Sequence, residues 1–329
     1  MHMSSKLVQV AFATDDGYAR PLAVAGGSVI RHLGKDRNLE LYVLDMGISK
    51  LNRRKIEESF AGPQVKVTWI TGKSEAVAGL PAGGPWLSSA TYARLLLPDV
   101  LPAHVDRVLY LDCDLVVRRC VGELYDLEFD GAVALAVQAM AAPFVCSLWG
   151  VGGWFEAGRA ASDINFNAGV MLIDIAGWRR EKIGQTALEY ARACNPDHPL
   201  VVDQEALNAT IGLRIRSIDP RWNQQSELFS NVHASLLPYS RECLNILRSE
   251  PWVVHYCQAS KPWQADCSHP WVSEWYRNLD ETAYRGWRPP WLLAAARQSG
   301  RKTFESVRLT LRRYGVNKAV KQTLRRLGA

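Results

Sequence analysis

Residues 8–33 read VQVAFATDDGYARPLAVAGGSVIRHL, and the fold class follows from this stretch. It opens with a mostly apolar run at residues 8–13, which ends in Thr14, two aspartates and Gly17. Such a run meeting a turn is typical of a buried β-strand, and a helix-length segment at residues 18–33 follows it. The chain therefore begins with a β-loop-α unit, in which the helix returns the chain for a parallel neighbouring strand.

The same alternation of strand-like and helix-like segments continues along the chain. We predict further strands at residues 41–44, 65–69, 108–111, 132–137, 170–175 and 252–255. We predict helices at residues 88–97, 181–193 and 204–210, and one capped by Ser49 with Leu51, Ile56 and Phe60 turned inward. This alternation implies an α/β fold with a mostly parallel sheet flanked by helices.

The composition is that of a globular protein, with 48% hydrophobic and 22% charged residues. No apolar run reaches the roughly 18 residues that a membrane span needs, and the first residues lack the apolar core of a secretion signal. The seven cysteines are odd in number and include no C-x-x-C pair, so neither a disulfide framework nor a zinc cluster is indicated. These features favour a cytoplasmic protein.

The most informative short motif is Asp112-Cys113-Asp114, at the end of the predicted strand that holds residues 108–111. Side chains alternate along a strand, so the two aspartates point to one side, and ligands of open α/β sheets collect at the carboxyl ends of strands. Hard oxygen ligands suit Mg²⁺ or Mn²⁺. By itself the pair fits a metal site and a solvated turn equally well.

A second motif lies near the other end of the chain. His255 ends an apolar strand, and Lys261 follows six residues later, directly before a proline. A nitrogen ligand for Mn²⁺ and a cation for phosphate would thus lie in one short loop. Each residue alone also fits a structural histidine and a surface lysine.

Six short stretches, taken together, resemble glycosyltransferase family 8, in particular its bacterial lipopolysaccharide and lipooligosaccharide galactosyl- and glucosyltransferases. The stretches are Ala13-Thr-Asp15-Asp-Gly-Tyr18, Thr91-Tyr-Ala-Arg94, Leu109-Tyr-Leu-Asp112-Cys-Asp114, Phe166-Asn167-Ala-Gly169-Val, Asp203-Gln204 and His255-Tyr-Cys-Gln-Ala-Ser-Lys261-Pro-Trp. They occur in the family's order across most of residues 8–270. Six stretches in order are far more specific than any one of them.

The resemblance implies a Rossmann-like sheet of the glycosyltransferase A type, to which the helices predicted below for the basic tail would add a C-terminal helical extension. It also implies a UDP-sugar donor, a saccharide or lipid-linked acceptor, and retention of the anomeric configuration. Gln258 and Gln138 stand where the bacterial galactosyltransferases usually have a glycine and an acid, so the resemblance leaves the donated hexose open.

The resemblance also implies roles for individual residues. Those expected to bind the donor are Ala13, Asp15, Tyr18, Arg94, Asp112, Cys113, Asn167 and Lys261. Asp112, Asp114 and His255 are expected to ligate Mn²⁺, with Mg²⁺ as the alternative. Asp203 and Gln204 are the candidate catalytic residues, and Gln204 would steady charge at the anomeric carbon while the acceptor attacks from the leaving-group face. A covalent intermediate on Asp203 is the alternative route.

Two other classes of protein fit parts of the sequence. Asp112 and Asp114 after an apolar strand also suit the aspartyl-nucleophile loop of haloacid-dehalogenase-like phosphatases, although the chain has no Gly-Asp dipeptide. The twelve tryptophans would suit a non-catalytic sugar-binding module, although tryptophans are more often core residues.

The C-terminal region differs in composition from the rest of the chain. Residues 297–329 carry ten Lys/Arg and one Glu, whereas the remainder carries 29 basic and 32 acidic residues. We predict a catalytic domain at residues 1–285 and, at residues 286–329, a Trp/Pro linker followed by basic amphipathic helices. Apolar residues at helical spacing beside clustered cations suit the headgroup layer of an anionic membrane. We therefore expect peripheral attachment to the inner face of the cytoplasmic membrane and no nucleic-acid partner. The alternatives are a tail packed on the body and a tail that binds nucleic acid.

Overall fold

A seven-stranded β-sheet forms the centre of the protein. The computed structural model describes residues 6–72, 74–80, 89–194, 202–230 and 237–292. The strands are β1 (Lys6–Thr14), β2 (Arg37–Asp45), β3 (Val65–Thr71), β4 (Arg107–Leu111), β5 (Leu115–Val117), β6 (Ala134–Gln138), β7 (Phe166–Asp174), β8 (Ile215–Ser217), β9 (Gln224–Gln225) and β10 (Val253–His255). The α-helices are α1 (Ala19–Arg31), α2 (Lys50–Ser59), α3 (Ser74–Val77), α4 (Leu97–Val100), α5 (Gly122–Tyr125), α6 (Ile175–Arg180), α7 (Ile183–Ala193), α8 (Val202–Ile211), α9 (Arg241–Ser249) and α10 (Val272–Leu279). Short 3₁₀ helices cover Asp16–Tyr18, Ser89–Leu96, Pro220–Asn223 and Ser226–Phe229.

The order of strands in the main sheet is β3-β2-β1-β4-β7-β6-β8. All neighbours are parallel except β7, which runs antiparallel to both β4 and β6. The predicted α/β fold with a mostly parallel sheet is therefore confirmed. β7 follows β6 in the chain, and the connecting residues 139–165 contain no helix, whereas the crossover between parallel strands is usually helical.

A second, three-stranded sheet has the order β5-β10-β9. β10 pairs antiparallel with β5 and parallel with β9. In this sheet His255 lies opposite Leu115, the residue directly after Asp114. The small sheet therefore brings the histidine motif to the paired aspartates, which are far from it in sequence.

Apolar layers cover both faces of the main sheet. On one face Val8, Val10 and Phe12 pack with α1 and with Trp275 of α10. On the other face Ala11 packs in a layer with Trp178 of α6. Since strand side chains alternate between faces, β1 is apolar at nearly every position because both of its faces are buried.

Most of the predicted elements are present, generally with longer strands than predicted. The segment predicted as a helix at residues 88–97 is a 3₁₀ helix over Ser89–Leu96, followed by α4. Ser49 caps α2 as predicted, and its side chain accepts a hydrogen bond from the Asn52 backbone N–H. The inward orientation predicted for Leu51 is wrong, since its exposed fraction is 56%. At about 100° per residue, position 51 lies roughly half a turn away from the buried Phe60.

Some of the predicted features lie outside the described residues. These include most of the Gly/Pro-rich loop after α3 and the predicted C-terminal helices, which begin beyond Leu292. Tyr284 and Leu292 pack against the same apolar cluster as α1. Within the described ranges, no helix is long and apolar enough to cross a membrane.

The adjacent glycines of α1 provide a test of this packing. A Cβ on Gly26 would lie 2.3 Å from the buried ring of Phe60, whereas one on Gly27 would lie 3.6 Å from Thr282. Gly26→Ala should lower the free energy of unfolding by about 1 to 3 kcal/mol through overpacking. Gly27→Ala should raise it by about 0.4 to 1 kcal/mol, because alanine restricts the unfolded chain. Chemical denaturation of both variants measures the difference, and equal effects would contradict the packing of α1 on Phe60.

Candidate active site

A cavity of about 210 Å³ opens at the carboxyl ends of β1 and β4, beside the first residues of β7. Every residue that the sequence analysis assigned to the site lines it: Ala13, Asp15, Tyr18, Arg94, Asp112, Cys113, Asp114, Asn167, Asp203, Gln204, His255 and Lys261. The strand ends supply most of these side chains, and the 3₁₀ helix at Ser89–Leu96, α8 and the loop after β10 supply the others. The tertiary fold thus gathers all six sequence stretches into one site.

Each of the two aspartates uses one carboxylate oxygen to bind a buried basic side chain. Asp112 Oδ1 accepts hydrogen bonds from Arg94 Nη2 at 2.8 Å and from the Tyr110 hydroxyl at 3.0 Å. Asp114 Oδ2 accepts from Lys261 Nζ at 2.6 Å. The remaining oxygens, Asp112 Oδ2 and Asp114 Oδ1, lie 3.7 Å and 3.2 Å from His255 Nε2. One oxygen from each carboxylate therefore converges with one ring nitrogen.

This convergence fits a divalent cation. One ligand atom from each of Asp112, Asp114 and His255 can be chosen so that all three lie within 4.8 Å of one another. Two oxygens and one imidazole nitrogen are donors that Mn²⁺ accepts, and Mg²⁺ shares the preference for oxygen. The structure therefore contains an Asp-Asp-His cluster able to hold a metal ion.

Gly169 makes room for this cluster. A Cβ at this position would lie 2.3 Å from His255 Cε1 and 2.7 Å from Asp112 Oδ2. Any side chain would displace two of the three candidate ligands. Close approach of the β7 backbone to the histidine ring is thus the physical reason for glycine here.

Arg94 is buried behind the cluster and joins three parts of the fold. Its Nη1 donates to the Ala168 carbonyl at 2.8 Å, and its Nε lies 3.0 Å from Asp203 Oδ2. Together with its bond to Asp112, these contacts tie β4, β7 and α8 around one guanidinium. The planar fork of arginine can serve several acceptors in this way.

Gln204 and Asn167 form a hydrogen-bonded pair beside the cluster. Asn167 Nδ2 donates to Gln204 Oε1 at 3.1 Å, and the backbone N–H of Ala168 donates to the same oxygen at 3.2 Å. The backbone N–H of Gly169 donates to Asn167 Oδ1 at 3.0 Å. Backbone donors therefore fix the orientation of both side-chain amides.

The end of β1 forms the opposite wall of the cavity. Asp15 accepts a hydrogen bond from the Gly17 N–H, which caps the 3₁₀ helix that carries Tyr18. The Tyr18 ring packs edge-on against Trp263 with centroids 5.6 Å apart. The Cys113 thiol lies 3.7 Å from the Ala13 carbonyl oxygen. These contacts hold the β1 loop next to the Asp-Asp-His cluster.

Burial and ion pairing shift the proton affinities of the site in different directions. Burial disfavours the charge on Asp114, but Lys261 and His255 outweigh it and hold the pKa of Asp114 well below its usual value. Burial likewise opposes the charge on Lys261, yet Asp114 keeps its pKa above the ordinary lysine value. For Asp203, burial prevails over Arg94 and raises the pKa. The ion pair of Asp114 and Lys261 is therefore stably charged.

Two residues of the site were missed by the sequence analysis. Tyr110 binds Asp112, and the guanidinium of Arg94 lies 4.7 Å from the centre of its ring. Strand alternation places Tyr110 on the same side as Asp112, so this signal was available. Asn223 lies beneath the cavity against His255 and Asn167. No local pattern in the sequence marks it.

A mostly parallel α/β sheet with paired aspartates and a histidine at its carboxyl edge is the architecture of A-type glycosyltransferases. The model of the family "Glycosyl transferase family 8" matches residues 9–267. The chain therefore belongs to glycosyltransferase family 8. This membership replaces the phosphatase interpretation of Asp112 and Asp114.

Relatives of known sequence or structure agree with the family. The chain is 26% identical over 286 residues to General stress protein A of Bacillus subtilis, covering 85% of this chain and 95% of that protein. It is 25% identical over 276 residues to lipopolysaccharide 1,3-galactosyltransferase of Salmonella typhimurium, covering 84% and 78%. The crystal structure of galactosyltransferase LgtC in complex with donor and acceptor sugar analogues is similar with a TM-score of 0.69 and 27% identity, covering 87% of this chain and 99% of that one.

The ion pairs of the site predict different stability costs for the two aspartates. Asp114→Asn leaves the buried Lys261 without its counter-charge, so the free energy of unfolding should fall by about 3 to 5 kcal/mol. Asp112→Asn should cost less, because Arg94 keeps Asp203 as a partner. Denaturant unfolding with chelator present measures both effects apart from metal binding.

The double variant Asp114→Asn/Lys261→Met is the control for this pair. It leaves neither charge of the pair buried, so it should recover part of the stability that Asp114→Asn loses. Strictly additive losses would show that the two side chains are not coupled.

Proposed function

We propose that this protein is a retaining hexosyltransferase that transfers glucose or galactose from a UDP-sugar to a saccharide or lipid-linked acceptor with Mn²⁺, or Mg²⁺ in its place. The observation that carries the proposal is the convergence of Asp112 Oδ2, Asp114 Oδ1 and His255 Nε2 in the cavity wall. The lipopolysaccharide galactosyl- and glucosyltransferases among its relatives favour a role in lipopolysaccharide or surface-glycan assembly.

In this proposal the end of β1 receives the uridine. Ala13 and Asp15 contact the uracil, and Tyr18 stacks on it. The edge-on packing of Tyr18 against Trp263 supports this role, because it holds the Tyr18 ring in one orientation, and stacking on a base requires a ring of defined orientation. Cys113 contributes to the same wall, where its burial raises the pKa of the thiol well above the usual value. The thiol therefore acts there as a neutral packing group.

Lys261 faces the diphosphate in this proposal, while Arg94, Asn167 and Asp203 face the sugar. Lys261 Nζ donates to Asp114 and to the Tyr256 carbonyl at 2.7 Å. An ammonium group has three hydrogens, so one remains for a phosphate oxygen. Asp112 and Asp114 hold the metal with His255, and the bound ion supplies Lewis-acid stabilisation of the charge that develops on the leaving diphosphate.

Retention follows from attack on the face that the leaving group departs. Gln204 steadies the positive charge of the sugar ring and does not act as the nucleophile, because its Oε1 already accepts two hydrogen bonds and an amide is a poor nucleophile. Asp203 is buried and lies 3.0 Å from Arg94 Nε, which argues against a covalent sugar ester on its carboxylate. A phosphate oxygen of the donor then takes the acceptor proton.

The test is a panel of UDP-sugars incubated with the full chain and Mn²⁺, with release of the nucleotide as the measurement. UDP-glucose or UDP-galactose should be hydrolysed slowly without acceptor, and chelator or Asp112→Asn should abolish the reaction. Once an acceptor is found, NMR of the product should show the α configuration of the donor.

Three results would contradict the proposal. Turnover that persists with chelator present would remove the metal role, and a β-linked product would remove the retaining mechanism. Failure to release nucleotide from any sugar, combined with tight sugar binding, would favour a non-catalytic sugar-binding module.

We also propose that the basic tail attaches the enzyme to anionic membrane surfaces. Residues 297–329 carry ten basic residues and one acidic residue, and each basic residue near an anionic leaflet contributes about 1 kcal/mol. A lipid-linked acceptor at the inner face of the cytoplasmic membrane would give this attachment a purpose.

Liposome co-sedimentation compares the full chain with a variant that ends at Ala296. Only the full chain should bind, it should prefer anionic over neutral vesicles, and high salt should weaken the binding because exposed charges are screened. Both forms should hydrolyse the donor equally. Equal binding by both forms would instead make the tail a structural element.

A further inference from the structure

Asn223 is a fully buried asparagine between the metal cluster and the candidate catalytic amide. It is the last residue of the 3₁₀ helix Pro220–Asn223, and its exposed fraction is 0%. Its Oδ1 lies 2.9 Å from His255 Nδ1, and its Nδ2 donates to Asn167 Oδ1 at 2.8 Å. One side chain thus joins His255 to Asn167, and through Asn167 to Gln204.

In this series of hydrogen-bonded side chains, the direction of every hydrogen bond follows from one backbone group. The Gly169 N–H can only donate, so the Asn167 atom that it contacts must be the oxygen Oδ1. The Asn223 atom that contacts the same oxygen must then be the donor, Nδ2. The other end of the Asn223 amide is therefore Oδ1, which can only accept. The usual ambiguity of amide orientation is thus resolved by bonding partners.

This polarity determines the tautomer of His255. Because Asn223 Oδ1 can only accept, His255 Nδ1 must carry the hydrogen. Nε2, the nitrogen next to Asp112 and Asp114, lies 3.2 Å from Asp114 Oδ1, and a hydrogen on Nε2 would serve that contact in the absence of a metal ion. Because Nδ1 keeps its hydrogen for Asn223, loss of the Nε2 hydrogen would leave the lone pair of Nε2 for a metal ion. A hydrogen bond to the distal ring nitrogen is the usual way in which proteins orient a metal-binding histidine.

The donor and acceptor directions set by Gly169 also determine how Asn167 faces Gln204. Asn167 Oδ1 is held by Asn223 and Gly169, so Asn167 Nδ2 is turned towards Gln204 Oε1. Ala168 donates to that oxygen as well. The orientation of the Gln204 amide therefore depends on the amide that also orients the histidine.

We propose that Asn223 is a positioning residue that fixes His255 as its Nδ1–H tautomer for metal binding and, through Asn167, fixes the amide of Gln204. This inference rests on the proposed metal site. It makes Asn223 the physical link between metal affinity and the geometry at the anomeric carbon, although Asn223 itself touches neither metal nor substrate.

Two substitutions separate the two hydrogen bonds of Asn223, one to His255 and one to Asn167. Asn223→Leu removes both hydrogen bonds at similar size. Asn223→Asp keeps an oxygen for the His255 Nδ1 hydrogen but offers no hydrogen to Asn167. Asn278, a buried asparagine on α10 that contacts Arg31, is the matched control through Asn278→Leu.

Binding of Mn²⁺ to the full chain, measured by EPR titration without donor, reports on the hydrogen bond between Asn223 and His255. Asn223→Leu should weaken Mn²⁺ binding about 10- to 100-fold, as is typical for the partner of a metal-binding histidine. Asn223→Asp should bind Mn²⁺ at least as tightly as the wild type, yet its kcat should fall about tenfold or more because Asn167 loses a donor. Asn278→Leu should leave Mn²⁺ affinity and kcat unchanged, whatever its effect on thermal stability.

The histidine tautomer can also be read directly in the wild type, independently of any variant's folding. Long-range ¹H–¹⁵N NMR of the wild type saturated with Mg²⁺, which is diamagnetic, should show His255 with its hydrogen on Nδ1, with His255→Gln identifying its signals. The Nε2–H tautomer would overturn the inference, as would a folded Asn223→Leu variant with wild-type Mn²⁺ affinity. If the wild type itself fails to bind Mn²⁺, the proposed metal site fails instead, and the two failures are thus distinguished.

Discussion

The buried guanidinium of Arg94 is the interaction around which the site is built. It contacts Asp112 at the end of β4, the Ala168 carbonyl on β7 and Asp203 on α8. A buried arginine without partners would be very costly, so these three elements must meet at this point whenever the protein is folded. The pairing also holds Asp112 and Asp203 on the same guanidinium, so their relative positions follow from that requirement.

Charge balance around this point would favour binding of a cation at the cluster. Asp112, Asp114 and Asp203 contribute three negative charges, and Arg94 and Lys261 contribute two positive ones. The five ionised side chains therefore sum to one net negative charge. A divalent ion would reverse that sign, and the site would then suit a diphosphate.

Hydrogen-bonded amides give the site its rigidity. Asn223, Asn167 and Gln204 form a chain whose direction is set by the backbone N–H groups of Gly169 and Ala168. Groups held in this way need little reorganisation during a reaction, and preorganisation of this kind is a principal source of enzymatic rate enhancement. Gly169 serves the same end, since only glycine lets the β7 backbone approach both His255 and Asp112.

The sequence by itself determined the α/β class, most of the strands and helices, and twelve of the residues that line the cavity. These depend on local patterns: apolar runs, period-two alternation, and six short stretches in a familiar order. The antiparallel direction of β7, the pairing of Lys261 with Asp114 and the position of Asn223 between His255 and Asn167 were decided only by the tertiary structure. Lys261 lies 147 residues from Asp114, and Asn223 lies 56 from Asn167. Contacts over such separations depend on the path of the whole chain and on which buried charges and amides must find partners, and no local pattern encodes them.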